Sequence, residues 1–310
     1  MNGALVVDKP AGPTSHDVVA RVRRATGEKR IGHTGTLDPL ATGVLPLLLG
    51  RATRLAQFLV SDEKAYVAGI RLGAATATYD AQARVVSGRP GEPVELAPLR
   101  CTPAVSPREL EDALGAFRGT FEQTPPPFSA KKVAGTPAYR LARRQAPADL
   151  RPVRVTVRKL VLVDYVDGLA TVEIVCSTGF YVRSLAHDLG GRLGCGAHLE
   201  SLRRVRAGTF TLDRAVPLAA VEEEADAIGC YLVPMADLLP GMPRVVVTDR
   251  GAARVAHGSV IAGEDLQEAE GRAFEGADGA RVRVIGAGGE LLGVAENRRA
   301  GTLQPLVVLV

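Results

Sequence analysis

Two long runs of strand-forming residues constrain the fold of this 310-residue chain more than any other feature. The runs span residues 153–166 and 169–176, and the dipeptide Asp167-Gly168 separates them. An Asp-Gly pair between two such runs is typical of a tight β-hairpin, because both turn residues can adopt a positive φ. The sequence therefore predicts a long antiparallel hairpin.

Shorter patterns predict further elements around this hairpin. Leu5-Val6-Val7 is typical of a strand, and Ser15 is predicted to cap a helix that ends at Gly27. The remaining predicted elements are a helix over 51–60, a strand over 64–72, a loop over 81–105, and a helix from the Ser106 capping box to about Gly119.

The last quarter of the chain differs in charge and pattern. Residues 1–220 carry 30 Lys and Arg against 20 Asp and Glu, whereas residues 221–310 carry 8 against 14. The larger part is therefore the better candidate to bind a polyanion. Residues 221–240 are predicted to be a connector, and the pattern from Arg244 onwards predicts a small mixed barrel with a helix over 249–256.

Composition excludes several classes of protein. Apolar content of 46% and charged content of 23% are ordinary globular values. No apolar run approaches the roughly 20 residues of a membrane span, and the first ten residues lack a signal-peptide pattern. The four cysteines form no CxxC pair, so we expect reduced thiols in a cytoplasmic protein. The sequence has no P-loop, dinucleotide fingerprint or metal cluster, and we expect neither cofactor nor metal.

A loop rich in glycine and threonine carries one isolated acid, Asp38. Pro39 disfavours helical geometry at Asp38, and Gly35 and Gly43 allow tight turns. One interpretation is a carboxylate presented to a ligand; the other is a turn acid that caps its own backbone. Spacing alone leaves both open.

The loop also resembles a known motif. The sequence GHTGTLDPLATGVLPLLLG, from Gly32 to Gly50, is similar to the catalytic-aspartate motif of the TruB family of tRNA pseudouridine synthases, in which Asp38 matches the nucleophile. Four further segments resemble TruB elements: DKPAGPTSHDVV, QTPPPFSAKK, STGFYVRSLAHDLG and LESLRRVRAGTF. The third departs from the family, because His187 stands where an acid is usual.

The resemblance implies an α+β fold. The expected catalytic domain spans residues 1–240, is built on a mixed, largely antiparallel sheet, and carries an inserted thumb at about 123–152. Residues 244–310 are expected to form a PUA-type RNA-binding domain, a small mixed β-barrel. Its acidic balance is unusual for such a role.

Residue roles follow from the same resemblance. Tyr66 is expected to stack on the target base, and Arg183 to orient Asp38, because a guanidinium can hold a carboxylate at two points. Without the motif, a half-buried strand tyrosine and a helix-start arginine are the default interpretations. The other expected substrate or RNA contacts are Lys9, His33, Tyr181 and Leu202.

The expected thumb is strongly basic. Nine Lys and Arg lie between 131 and 159 against one acid, which suits contacts with phosphates. The alternative is a solvated basic face. The residues expected to bind RNA here are Lys131, Lys132, Arg140, Arg143 and Arg144.

The implied activity is conversion of uridine 55 in the tRNA T loop to pseudouridine. We expect tRNA as partner, no membrane contact, no obligatory protein partner and a monomer. Three alternatives remain: a guide-RNA-dependent enzyme of the dyskerin type, which has no need of a basic thumb; a glycoside or nucleoside hydrolase, which needs a second carboxylate; and a tRNA-folding chaperone.

Overall fold

The computed structural model describes residues 1–60, 63–82, 104–129, 131–133, 135–143, 150–224, 227–269, 278–298 and 301–310. Most of the predicted 81–105 loop lies outside these residues. The described strands up to residue 217 are β1 (Gly3–Lys9), β2 (Ile31–His33), β3 (Thr42–Leu49), β4 (Lys64–Leu72), β5 (Gly119–Gln123), β6 (Lys132–Val133), β7 (Thr136–Pro137), β8 (Val153–Val166), β9 (Leu169–Cys176), β10 (Ala197–Ala207), β11 (Phe210–Thr211) and β12 (Val216–Pro217). The helices are α1 (Ser15–Thr26), α2 (Ala56–Leu59), α3 (Pro107–Gly115), α4 (Ala138–Arg143), α5 (Val182–Arg192), α6 (Leu218–Glu223), α7 (Ile228–Tyr231) and α8 (Asp249–Ala256).

Ten of these strands form one sheet, in the order β12-β1-β3-β10-β4-β9-β8-β5, with β2 on β3 and β11 on β10. The β1–β12 and β3–β10 pairs are parallel, and the other pairs are antiparallel. This confirms the expected α+β class with a mixed, largely antiparallel sheet.

The predicted hairpin is confirmed as β8–β9. Val166 pairs with Leu169, and both turn residues have positive φ, 48° at Asp167 and 75° at Gly168. The turn therefore matches the right-handed twist of the two strands. Downstream, β9 is joined by residues 177–181 to α5, the helix that carries Arg183.

Three local predictions need correction. Thr14, not Ser15, is the N-cap of α1, in a capping box with Asp17, although Gly27 ends the helix as predicted, with φ 68°. The segment after β3 is a 3-10 helix (Gly50–Leu55) followed by one turn of α-helix, not one helix over 51–60. The Ser106 capping box is confirmed, but α3 ends at Gly115, and Gly119 begins β5.

The C-terminal strands form a second, five-stranded sheet. They are β13 (Arg244–Val247), β14 (Leu266–Ala269), β15 (Arg281–Ile285), β16 (Leu291–Arg298) and β17 (Thr302–Val308), in the order β14-β13-β15-β16-β17. The expected barrel is not closed among the described residues. Ile261 makes a single bridge to Leu303, and a 3-10 turn over Gly263–Asp265 separates it from β14, so no ladder joins the two edges.

Apolar side chains cover both faces of the main sheet. On one face, α1, α3 and α5 pack against Leu5, Leu47 and Ile70. On the other, Val6 and Leu48 share a cluster with Leu291 and Leu309 of the C-terminal segment. The loop between β2 and β3, which carries Asp38, therefore starts and ends in strands anchored at the sheet centre.

Candidate active site

Side chains from α1 and β1 hold the backbone of the Asp38 loop in place. Ser15 at the start of α1 bonds the backbone of Leu37 twice, accepting from its N–H at 2.8 Å and donating to its carbonyl at 3.0 Å. Lys9, at the end of β1, donates to the carbonyls of Pro39 and Ala41 at 3.3 and 2.6 Å. These contacts fix the backbone on both sides of Asp38, whose side chain stays 32% exposed.

Arg183 holds the Asp38 carboxylate at two points. Its Nε donates to Oδ2 at 2.8 Å and its Nη2 donates to Oδ1 at 2.9 Å. The guanidinium is fixed in turn, because Nη1 donates to the carbonyls of Thr78 and Phe128 at 3.2 and 3.0 Å. Planar, two-point pairing of this kind orients a carboxylate as well as neutralising it.

A second carboxylate, Asp80, lies behind the arginine and was missed in the sequence. Its Oδ2 is 3.8 Å from Arg183 Nε, and its Oδ1 accepts from Thr78 Oγ1 and the Gln82 backbone. Burial raises the pKa of Asp80, and the Arg183 cation and these hydrogen bonds oppose the rise. The signal in the sequence was the alternation Thr76-x-Thr78-x-Asp80, which begins four residues after β4 ends. Short polar residues spaced in this way form local hydrogen bonds with one another.

A pocket of about 250 Å³ opens beside Asp38. Tyr66 of β4 and Leu202 of β10 form part of its wall, together with Tyr181 at the N-cap of α5. Burial raises the pKa of Tyr66, against the effect of the nearby Arg204 cation. The pocket thus combines one carboxylate with flat and apolar surfaces of the size of a nucleobase. Its other lining residues are Gly35, Thr36, Leu37, Lys64, Ser177, Thr178, Gly179, Phe180, Val182, Arg183 and Arg204.

Gln123 fixes the backbone of Tyr181 at the N-terminus of α5. Its amide donates to the Tyr181 carbonyl at 3.1 Å and accepts from the Tyr181 N–H at 2.8 Å. Ser184 adds a bond to the Thr124 carbonyl at 2.8 Å. The segment that leads into the expected thumb is therefore tied to the helix that carries Arg183.

Two family models match consecutive parts of the chain, and the second match begins at Arg183. The model described as the N-terminal domain of TruB family pseudouridylate synthase matches residues 23–182, more than half of the chain. The chain belongs to the TruB family. The model described as the tRNA pseudouridylate synthase B C-terminal domain matches residues 183–239.

TruB relatives are similar along nearly their whole length. A protein of Solibacter usitatus named tRNA pseudouridine synthase B is 42% identical over 311 residues and covers 100% of both chains. One of Geobacter sulfurreducens with the same name is 42% identical over 288 residues, covering 92% of this chain and 90% of the relative.

Solved structures share the fold at lower identity. A crystal structure of the archaeal box H/ACA sRNP Nop10–Cbf5 complex aligns with a TM-score of 0.71 at 24% identity, over 100% of this chain and 86% of that chain. A structure of an H/ACA RNP bound to a substrate RNA containing 2′-deoxyuridine aligns with a TM-score of 0.72 at 23% identity, over 99% and 85%.

Lys9 of this TruB chain does not face the pocket as a substrate contact would. The residue is 0% exposed, and its ammonium donates to three carbonyls, those of Pro10, Pro39 and Ala41. Burial lowers its pKa from 10.5 to about 8, although the Asp38 charge opposes this. The expected RNA contact is corrected to a support of the loop backbone, since all three donors are used inside the protein.

His33 lies on β2 and is not among the described residues that line the pocket. Its ring is half-buried, and burial lowers its pKa, with smaller effects from Arg204 and His16. His33 is therefore close to Asp38 in the sequence, but in the structure it lies outside the base-sized cavity.

The basic segment is described only in part. Lys131 is exposed, and Arg140 is exposed on α4, with its guanidinium 6.0 Å from the centre of the Tyr139 ring. Arg144 and the side chains of Lys132 and Arg143 lie outside the described residues.

The structure, over the parts of the chain that it covers, shows neither a cluster of metal-ligating side chains nor a membrane-spanning helix. Its described residues contain no cluster of three His, Cys, Asp or Glu side chains suited to a metal ion. None of the described helices is both long and apolar enough to span a membrane.

Proposed function

We propose that this chain converts uridine to pseudouridine at position 55 in the T loop of tRNA, with Asp38 as nucleophile. The observation that carries the proposal is the Asp38–Arg183 pair on the wall of a base-sized pocket that also holds Tyr66 and Leu202. The names of the two relatives, which cover 100% and 92% of the chain, support tRNA as the substrate.

The reaction is an isomerisation and needs no external reagent. The bond between C1′ and N1 of uridine breaks, the uracil turns, and a bond forms between C1′ and C5. C5 loses its proton and N1 gains one, so substrate and product contain the same atoms. The Asp38 carboxylate can promote this by attack on the sugar, by attack on the base, or by stabilising an oxocarbenium-like sugar.

The pocket residues divide the remaining work. Arg183 aims the carboxylate through its two hydrogen bonds, Tyr66 stacks on the uracil, and Leu202 closes an apolar wall. Tyr181 borders the same cavity. A base enters such a pocket only after leaving the stack, which costs a few kcal/mol.

RNA affinity is assigned to other surfaces. In this proposal Lys131, Lys132, Arg140, Arg143 and Arg144 bind phosphates from the thumb, at about 123–152. His33, outside the pocket, fills the gap left by the flipped base. Residues 1–240 form the catalytic domain and 244–310 a PUA-type module. The enzyme acts in the cytoplasm as a monomer, with no cofactor, metal or protein partner.

The test is incubation of the purified chain with an unmodified tRNA transcript, without guide RNA, followed by carbodiimide mapping of pseudouridine. We expect one modified position, 55. A transcript with cytidine at position 55 is the control and should remain unmodified. A product elsewhere, or a product that forms only with an added guide RNA, would contradict the proposal.

A further inference from the structure

Arg204 is a buried cation that the proposed chemistry does not use. It is 1% exposed and lies on β10, next to Gly43 in the parallel pair with β3 and opposite Tyr66 in the antiparallel pair with β4. The loop that carries Asp38 and the strand that carries Tyr66 therefore meet at this residue.

The guanidinium bonds the Asp38 loop on one side of Asp38 and strand β3 on the other. Nε donates to the Val44 carbonyl at 2.7 Å, after Asp38 in the chain. Before Asp38, Nη2 donates to the Gly35 carbonyl at 3.1 Å and Nη1 to the Thr36 carbonyl at 3.4 Å. One planar group thus ties the start of the loop to the strand that follows it, which a compact ammonium cannot do.

All of these acceptors are neutral. Within the described residues no carboxylate lies within 4 Å of the Arg204 guanidinium, unlike Arg183 and its neighbour Arg203. A buried charge without a counter-ion is costly to desolvate, so the position is expensive as a packing device alone. Its field reaches the site, where Arg204 acts to lower the pKa of Tyr66 and His33.

The backbones of β3 and β10 are closely packed at Arg204. Gly43 has φ 97°, and a Cβ there would lie 2.2 Å from the Arg204 carbonyl oxygen. The close approach of β3 and β10 brings the loop carbonyls within reach of the side chain. The arrangement fixes where the loop leaves the sheet and, with it, where Asp38 stands relative to Tyr66.

We propose that Arg204 is a positioning residue of the active site, which sets the distance between the Asp38 loop and the Tyr66 ring by tying the start of the loop to β3, the strand that follows it. Its kinetic consequence rests on the proposed function; its structural consequence does not. A shift of about 1 Å between catalytic groups can cost on the order of 100-fold in rate.

The test compares Arg204→Lys, which keeps the charge, and Arg204→Gln, which keeps a planar donor, with Arg203→Lys and Arg203→Gln. Arg203 is the adjacent residue on β10, with a half-exposed side chain paired with Asp8 at 2.8 Å. We expect both Arg204 variants to lose about 100-fold in the single-turnover rate at saturating tRNA. Their tRNA affinity should stay within about threefold of wild type, because phosphates are bound elsewhere. The Arg203 variants should keep the wild-type rate.

A second measurement is independent of activity. The chain is labelled with 3-fluorotyrosine, and the Tyr66 signal is assigned by its loss in Tyr66→Phe. We expect ¹⁹F titration to show a higher Tyr66 pKa in Arg204→Gln than in wild type, because the nearby positive charge is removed. Arg204→Lys should shift it less.

The outcomes separate this inference from the proposed function. If wild type forms no pseudouridine, the proposed function fails, and the fluorine titration alone decides on Arg204. A wild-type rate in Arg204→Lys, an unchanged Tyr66 pKa in Arg204→Gln, or unfolding of both variants at assay temperature would overturn the positioning role.

Discussion

Arg183 and Asp38 form a bidentate ion pair, in which Nε donates to Oδ2 at 2.8 Å and Nη2 donates to Oδ1 at 2.9 Å. The arginine side chain is 6% exposed and the aspartate side chain 32% exposed. The carboxylate is thus held from the protein side and open towards the pocket. An isolated loop acid becomes a directed group in this way, because its rotation is restricted while its free face stays accessible.

Replacing Arg183 by lysine tests whether direction matters beyond charge. We expect Arg183→Lys to lose at least about 100-fold in single-turnover rate, because an ammonium cannot make the two parallel bonds that aim Asp38. The tRNA affinity should change little. Arg192→Lys, an exposed arginine at the other end of α5, is the matched control. A fully active Arg183→Lys enzyme would show that the fork is not required.

Replacing Asp80 by asparagine should raise the stability of the protein and lower its activity. Burial raises its pKa above the unfolded value of 3.8, so the native state holds its proton to higher pH than the unfolded state does. The wild type therefore loses stability as pH rises through this interval, and the neutral variant does not. We expect Asp80→Asn to gain in free energy of unfolding relative to wild type as the pH rises above the unfolded value of 3.8.

The same Asp80→Asn variant should be roughly tenfold slower or more, because Arg183 loses a charge that orients it. Urea unfolding at several pH values and single-turnover assays measure the two effects. Asp164→Asn, an exposed acid on β8, is the control. A flat stability difference across pH would contradict the buried-carboxyl account.

Lys9 should make the free energy of unfolding depend on pH with the opposite sign. Its folded pKa of about 8 lies below the ordinary lysine value of 10.5, so between these values the unfolded state binds more protons. Stability then rises with pH across this window. We expect the free energy of unfolding of wild type relative to Lys9→Met to increase from about pH 8 to about pH 10. Lys29→Met, at an exposed lysine, should give no such trend.

Removing the thumb arginines tests where RNA is bound. We expect the combined change of Arg140, Arg143 and Arg144 to alanine to weaken tRNA binding. The log–log salt slope should fall by roughly one unit for each phosphate that the variant no longer binds. The chemical step on bound RNA should suffer less, because Asp38 lies on another segment.

A charge-matched control uses three exposed arginines outside the thumb and the C-terminal module: Arg24, Arg108 and Arg192. Their combined change to alanine should leave the salt slope near the wild-type value. Unchanged affinity and slope in the thumb variant would identify the 131–159 segment as a solvated basic face.

Local signals in the sequence predicted the elements that frame the site. The Asp-Gly turn of β8–β9, the stop at Gly27 and the Ser106 capping box depend on residues within a few positions, and all three are confirmed. Such features are determined by φ preferences and short hydrogen bonds.

Features that depend on contacts distant in sequence could not be predicted from local patterns; only the family resemblance indicated the Asp38–Arg183 pair. Ser15 has the side chain of a cap, but it is used 22 residues away, on the backbone of Leu37. A strand-end lysine gives no sign that Lys9 will be covered by the Asp38 loop. The role of Asp80 depends on its contact with Arg183, which is 103 positions later in the sequence.

The most direct test of the account is the single-turnover rate of Asp38→Asn on unmodified tRNA, measured beside tRNA affinity. The account predicts no detectable pseudouridine at position 55 and binding within a few-fold of wild type, because the carboxylate does the chemistry while basic surfaces supply affinity. Turnover by Asp38→Asn at a near wild-type rate would contradict it and remove Asp38 from the mechanism.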